Sequence, residues 1–238
     1  MVKRALLIIL GVLVIDQASK IYIKLSWPLD HSVHVFGEWF QLHFIENPGM
    51  AFGLTFGGET GKLALSIFRL LAIAGIAWYL RNLIKSKHPA ELIYAIALIL
   101  AGAAGNMVDS ALYGVFFNEG SVWNGHYYQG YLGLAEFCSP SEGYSAFLLG
   151  NVVDMLYFPI INSTWPEWMP IIGGEDFQFF RPVFNISDAA ITIGVAWIIL
   201  RQRSVFKQLA EEEVTSVVAD ESTPSELTST EERKPGEA

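Results

Sequence analysis

Cysteine is almost missing from this chain. Cys138 is the only one in 238 residues, so no disulfide can brace the fold from within. The five histidines form no H-E-x-x-H motif and no cluster with Cys138, which leaves a zinc protease without ligands at the usual spacing. Charge is scarce as well: only 16% of residues carry it, against roughly a quarter in soluble domains. Positive charge is the scarcer sign, with 15 Lys and Arg against 24 Asp and Glu and a net charge of −9. A nucleic-acid-binding face, which needs basic residues, is therefore not expected. The acidity is local, because nine acids and only two bases, Arg233 and Lys234, lie between Glu211 and Ala238. The body before that tail is close to neutral. The run Gly57-Gly58-Glu59-Thr60-Gly61-Lys62 imitates part of a phosphate loop, but Phe56 stands where the first glycine is needed and Leu63 replaces the Ser/Thr.

What the chain does have is apolar sequence, 52% of its residues. Four stretches, 5–23, 63–83, 90–108 and 185–200, approach the roughly 20 residues needed to cross a bilayer. The expected fold is a mostly α membrane protein with four transmembrane helices. Basic residues orient it. Lys3 and Arg4 precede the first stretch, Arg81, Lys85 and Lys87 separate the second from the third, and Arg201, Arg203 and Lys207 follow the fourth. The segments 25–61 and 109–184 hold one basic residue between them, Arg181. Both termini and the short middle loop are thus expected in the cytoplasm, and the two long segments outside. The first stretch reads as a retained span, since Asp16, Gln17 and Lys20 follow its apolar run with no A-x-A-like cleavage site. Residues 33–44 (VHVFGEWFQLHF) are aromatic and imperfectly alternating, as expected of short strands in a small β-rich extracytoplasmic subdomain. Residues 113–149, rich in Gly, Tyr, Phe and Ser, read as a long, irregular external insert. Residues 1–203 form the expected membrane domain, and 204–238 an acidic, disordered cytoplasmic tail.

Ionisable groups within or beside a span are costly and point to function. Asp16 and Lys20 share one face of the first span. Asn106 and Asp109 end the third, and Asn185 and Asp188 begin the fourth. Asp154 lies in the outer segment between them. With the orientation above, all of these gather at one outer surface. Each also has a plainer reading. Asp16–Lys20 can be a structural ion pair, and Asn185 with Asp188 has the spacing of a capped helix start. Asn106 with Gly102 and Gly105 can serve helix packing, and Asp109 can be a solvated helix end. Cys138 has no placed base and reads as incidental.

Five short motifs bring these residues together. Asp16-Gln17-Ala18-Ser19-Lys20 matches D-Q-x-[ST]-K, and Asn47 to Gly53 (NPGMAFG) matches N-x-G-x-A-F-G. Gly105-Asn106-Met107-Val108-Asp109 matches most of G-N-x-x-D-R, Val152-Val153-Asp154 matches V-V-D, and Phe184 to Asp188 (FNISD) is similar to F-N-x-A-D. In this order they resemble the boxes of the lipoprotein signal peptidase (signal peptidase II) family. The resemblance implies an aspartic endopeptidase of the bacterial inner membrane, with its site near the outer face. Such an enzyme removes signal peptides from diacylglyceryl prolipoproteins, cutting just before the lipidated cysteine, and is blocked by globomycin-like cyclic peptides. It implies Asp154 and Asp188 as the catalytic pair. Asn47, Gly49, Asn106 and Asn185 line the substrate site, Asp16 and Lys20 support it, and Asp109 is a rival for the pair. No cofactor or metal is implied, and the expected partners of the monomer are its substrates and membrane lipid. Three departures bear on this, the first being that the stretch from Asp154 to Asp188 is long. Ser110 stands where the family has arginine, leaving Arg181 as the external arginine available, and about forty residues separate Asp109 from Asp154.

Two carboxylates held close share a proton, so one can activate water while the other hydrogen-bonds the developing oxyanion. Asp188, in the first turn of a helix, is the expected carboxylate, and Asp154 the expected proton carrier. A proton-coupled transporter and a non-catalytic lipopeptide scaffold are the alternative classes. The apolar inner halves of the spans disfavour the first, and carboxylate substitution distinguishes the second.

Overall fold

In a computed structural model the described residues are 1–49, 58–170, 173–179 and 182–201. The chain begins with α1 (Val2–Ser26), which leads into a hairpin of β1 (Ser32–Phe36) and β2 (Phe40–Asn47). Two long helices follow, α2 (Gly58–Lys85) and α3 (Ala90–Val108). The chain then passes through a π-helical turn (Asp109–Tyr113), a short α4 (Gly114–Phe116) and a small hairpin of β3 (Val122–Trp123) and β4 (Tyr128–Gln129). After β5 (Val152–Tyr157) come β6 (Ile161–Thr164), β7 (Asp176–Phe179) and β8 (Val183–Phe184). A last helix, α5, occupies 186–201.

Among the described residues, three helices are long and apolar enough to cross a membrane: α1, α2 and α3 with its continuation to Phe116. The central one is α3, with 56% of its apolar window buried against 17% for α1 and 11% for α2. The outer helices turn apolar side chains such as Leu7, Val14, Phe68 and Leu71 outward. That outward apolar surface is what a lipid environment requires of a helix whose backbone is already satisfied. The third and fourth sequence stretches agree with α3 and α5 nearly to the residue, while α1 and α2 run several residues longer than the stretches that marked them. The described part of α5 is shorter than the other three. The tail from 204 and the Met50–Gly53 half of the second motif lie outside the described residues, as does Arg181.

The helices meet in two cores. One lies between α1, α2 and α3 and contains Ala5, Leu80, Ile93 and Ala97. The other joins the lower end of α1 to the sheet and the insert through Ile23, Phe44, Phe117, Val153 and Met155. The sheet is antiparallel with order β1-β2-β5-β8, as the aromatic stretch 33–44 led one to expect for its first two strands. Pairing of Ile45 with Asp154 and of Leu156 with Phe184 lines up the end of β2, the middle of β5 and the end of β8. Side chains alternate along a strand. Val153 and Met155 enter the second core, so Asp154 between them faces the other way.

The insert has little regular structure, yet it is anchored. Ser110 O accepts the Gly150 N–H at 2.8 Å, and Gly114 O accepts the Ser145 N–H at 2.9 Å. The segment therefore leaves and returns at one point. A Cβ on Gly150 would run into the backbone at Asp109 and Gly114, which is why glycine closes this neck. Lys24, fully buried, holds the insert down. It pairs with Glu46, donates to Glu119 O, and lies over the rings of Phe117, Tyr131 and Tyr144. Glu46 in turn accepts from Ser121 N–H and Asn151 Nδ2. A lysine this buried survives because its charge is paired and its stem is covered by aromatic faces.

Candidate active site

Helix α1 supplies the floor. Asp16, Lys20 and Lys24 are each four residues apart and form one buried stripe. Lys20 Nζ lies 2.9 Å from both Asp16 Oδ2 and Asp109 Oδ2, with all three side chains fully buried. Two carboxylates on one ammonium leave a negative balance that hydrogen bonds must offset. Gln17 Nε2 donates to Asp109 Oδ1 at 2.7 Å and to Asp16 Oδ2 at 3.1 Å. Val153 N–H donates to Asp109 Oδ2 at 3.2 Å, and Ser187 N–H to Asp16 Oδ1 at 2.9 Å. Asp16 and Asp109 are therefore anchors that tie α1 and the end of α3 to β5 and α5. Asp109, open to being a solvated helix end on sequence grounds, is instead wholly buried.

Lys20 also sets the layer above. Its Nζ donates to Asn106 Oδ1 at 2.9 Å, and Asn185 Nδ2 donates to the same oxygen at 3.0 Å. With two donors on the oxygen, the Asn106 amide orientation is determined. Its Nδ2 points at Asp188 Oδ1, 2.7 Å away. Asn185 caps α5: its Oδ1 accepts the Asp188 N–H at 2.9 Å, and its own N–H donates to Asp188 Oδ2 at 3.3 Å. This is the reciprocal exchange of a capping box, with aspartate in the third position. Asn185 Nδ2 is left facing Asp154 Oδ1 at 2.7 Å. Asn47 Nδ2 reaches Asp154 Oδ2 at 3.3 Å, and Asn47 Oδ1 accepts the Gly49 N–H at 2.9 Å.

Asp154 and Asp188 thus share one asparagine, and their environments differ. Asp154 is buried and Asp188 is partly exposed. Burial, and after it the charge of Asp188, pushes the Asp154 carboxyl up to about 7. The close approach of α5 to α3 depends on glycine. A Cβ on Gly102 would sit 2.7 Å from Ile191 Cγ1 and closer still to the Ser187 carbonyl, and one on Gly105 would meet Ser187 Oγ. Asn106 therefore fills both roles that its sequence context allowed, beside a packing seam and within the polar network.

All nine residues singled out from the sequence are described. Asp16, Lys20 and Asp109 fall in the lower network, Asn47, Gly49, Asp154, Asn185 and Asp188 in the upper one, and Asn106 joins the two. Sequence reasoning passed over Lys24, Glu46, Asn151 and Arg69. Lys24 repeats the four-residue stripe of Asp16 and Lys20, and Arg69 interrupts an apolar span, so both carried a legible signal. Glu46 and Asn151 merely precede motif boxes. The lookalike phosphate loop ends in a lysine whose Nζ donates to Asn151 Oδ1. Ser110 Oγ donates to Asn106 O at 3.1 Å and brings no charge to the site.

Apolar helices around a cluster of buried acids and asparagines are the build of a membrane protein with a polar site. Comparisons with known proteins agree. The fold is shared with a bacterial membrane enzyme solved in meso at 2.3 Å (TM-score 0.51, 22% identity, covering 97% of this chain and 96% of that one). A second such structure, solved at 1.9 Å, gives a TM-score of 0.54 at 22% identity over 85% and 94% of the two chains. The family model of signal peptidase II matches residues 8–203. Lipoprotein signal peptidase of Porphyromonas gingivalis is 43% identical over 195 residues, 82% of this chain and 79% of that protein. That of Amoebophilus asiaticus is 34% identical over 210 residues, 87% and 80% of the two chains. The chain belongs to the signal peptidase II family, the signal peptidases that process bacterial prolipoproteins.

Proposed function

We propose that this signal peptidase cuts prolipoproteins with Asp154 and Asp188, at the outer face of a four-helix inner-membrane domain. The observation that carries the reading is the shared asparagine. Asn185 Nδ2 donates to the Asp154 carboxyl at 2.7 Å, its Oδ1 accepts the Asp188 N–H, and its own N–H donates to the Asp188 carboxylate at 3.3 Å, so one residue, through side chain and backbone, contacts both carboxyl groups.

The environments divide the labour. Asp188 accepts from Asn106 Nδ2 and from the Asn185 N–H, and it sits in the first turn of α5, where the positive helix end favours an anion. It begins as the carboxylate. Asp154, buried between core residues of β5, begins protonated. Asp188 takes a proton from water as the water oxygen attacks the scissile carbonyl. Asp154 hydrogen-bonds and then protonates the carbonyl oxygen. Collapse of the tetrahedral intermediate breaks the C–N bond: the proton held by Asp188 passes to the leaving nitrogen, and a hydroxyl proton of the intermediate returns to Asp154 as the acid carbonyl re-forms. The products are the signal-peptide carboxylic acid and the free amine of the lipidated cysteine.

The substrate accounts for the setting. A diacylglyceryl group stays in lipid, so the cysteine bearing it lies at the interface, where α1, the end of α3 and the start of α5 bring the polar groups together. The fourth span is α5, which the site requires to run back toward the cytoplasm. The test is cleavage, by reconstituted protein, of a synthetic signal peptide with and without the diacylglyceryl group. Cutting of the lipidated peptide alone supports the assignment, and equal cutting of both contradicts it. Globomycin-like cyclic peptides are expected to inhibit the first reaction.

A further inference from the structure

We infer that Arg69 is a positioning residue for this hydrolysis: it pins the Gly49 carbonyl, and through the Asn47 turn it holds Asp154 in place while its charge favours the anionic form of the pair. The inference rests on reading Asp154 and Asp188 as the reacting carboxyls.

An arginine inside an apolar membrane helix is costly unless its charge is used. Arg69 Nη2 donates to Gly49 O at 3.1 Å. Gly49 has φ +93°, a left-handed conformation that glycine alone adopts without strain. A Cβ there would stand 3.0 Å from Arg69 Nη1, so the guanidinium lies against the bare Cα. The Gly49 N–H donates to Asn47 Oδ1, and Asn47 Nδ2 donates to Asp154 Oδ2. Three hydrogen bonds thus link α2 to Asp154 through a turn that glycine makes possible. Both carboxylates also lie within electrostatic reach of the guanidinium. Among the described residues, Lys62 of α2 also acts electrostatically on Arg69, and Lys20 of α1 on Asp154. Lys20 is already committed to Asp16 and Asp109. Ser110 offers no cation, and Arg69 brings one from a different helix.

The test uses full-length protein reconstituted in lipid, with R69Q and R69K assayed on the diacylated peptide across pH. R69Q removes the cation, so the acid limb of kcat/KM should move to higher pH by on the order of one unit, with a raised KM. R69K keeps the charge but lacks the planar fork. Its limb should stay at the wild-type position while kcat/KM falls by about tenfold. A limb that R69Q leaves in place overturns the inference, as does R69K with wild-type kcat/KM. Should R69Q fail to insert, R69K alone decides by the same criterion. D154N and D188N run alongside. Cleavage by both refutes the carboxylate pair itself, and with it this inference. Their inactivity together with an unmoved R69Q limb refutes only the role of Arg69.

Discussion

Asn185 has two readings in the sequence, a helix cap or a site residue, and spacing alone does not choose between them. The structure gives it both, because capping α5 with its oxygen is what turns its nitrogen toward Asp154. Asp109, a rival for the pair by sequence, is held instead by Lys20, Gln17 and the Val153 N–H. The difference between Asp154 and Asp188 has a measurable consequence. With the Asp154 carboxyl raised to about 7 by burial and then by Asp188, kcat/KM should decline above neutral pH as that proton is lost. A pH–rate profile that stays level far into the alkaline range contradicts this. The same shift affects stability. The folded state keeps this proton at a higher pH than the unfolded chain, so stability falls as pH rises from the ordinary carboxylate range to about 7 and is level beyond it. D154N removes that slope. Its Tm should exceed that of the wild type above neutrality, by an amount worth on the order of 1–3 kcal/mol, and the gap should close on acidification.

At the scale of elements, the site depends on how closely α5 lies on α3. Gly102 sits where any side chain would press on the Ser187 carbonyl and Ile191. Gly102→Val should displace the start of α5 and with it Asn185 and Asp188, lowering kcat/KM by about 100-fold. Gly75 of α2 has open space around its Cα, and Gly75→Val is the neutral control. Equal activity of the two variants contradicts the account of the seam. The insert follows another logic. Its length suggests that Asp154 could be displaced relative to Asp109, yet the neck at Ser110 and Gly150 returns the chain to where it left. Nothing in local periodicity announces such a closure. It depends on Lys24, Glu46 and Asn151, which lie far apart in sequence and meet only after α1, β2 and β5 have packed.

Across the whole molecule, the legible features were those written locally: apolar run length for the helices, alternation with aromatics for β1 and β2, and the cap spacing at Asn185. The pairing of β2 with β5 and β8 was not legible, since long-range register leaves no mark in any one strand. Arg69 was overlooked because the apolar residues flanking it defined a span. The proposed orientation, with 109–184 outside, can be checked at Leu132, the most exposed large apolar side chain of the insert at 97%. After Cys138 is replaced by serine, Leu132→Cys should react with a membrane-impermeant maleimide added to intact spheroplasts. Labelling only after permeabilisation contradicts the orientation. The central claim is that Asp154 and Asp188 together perform the cleavage, and the most direct measurement is single-turnover cutting of the diacylated peptide by D154N and D188N, each verified as inserted and folded. The account predicts that each variant loses about 10²–10⁴-fold in rate while still binding the substrate. Near-wild-type cutting by both variants would contradict it.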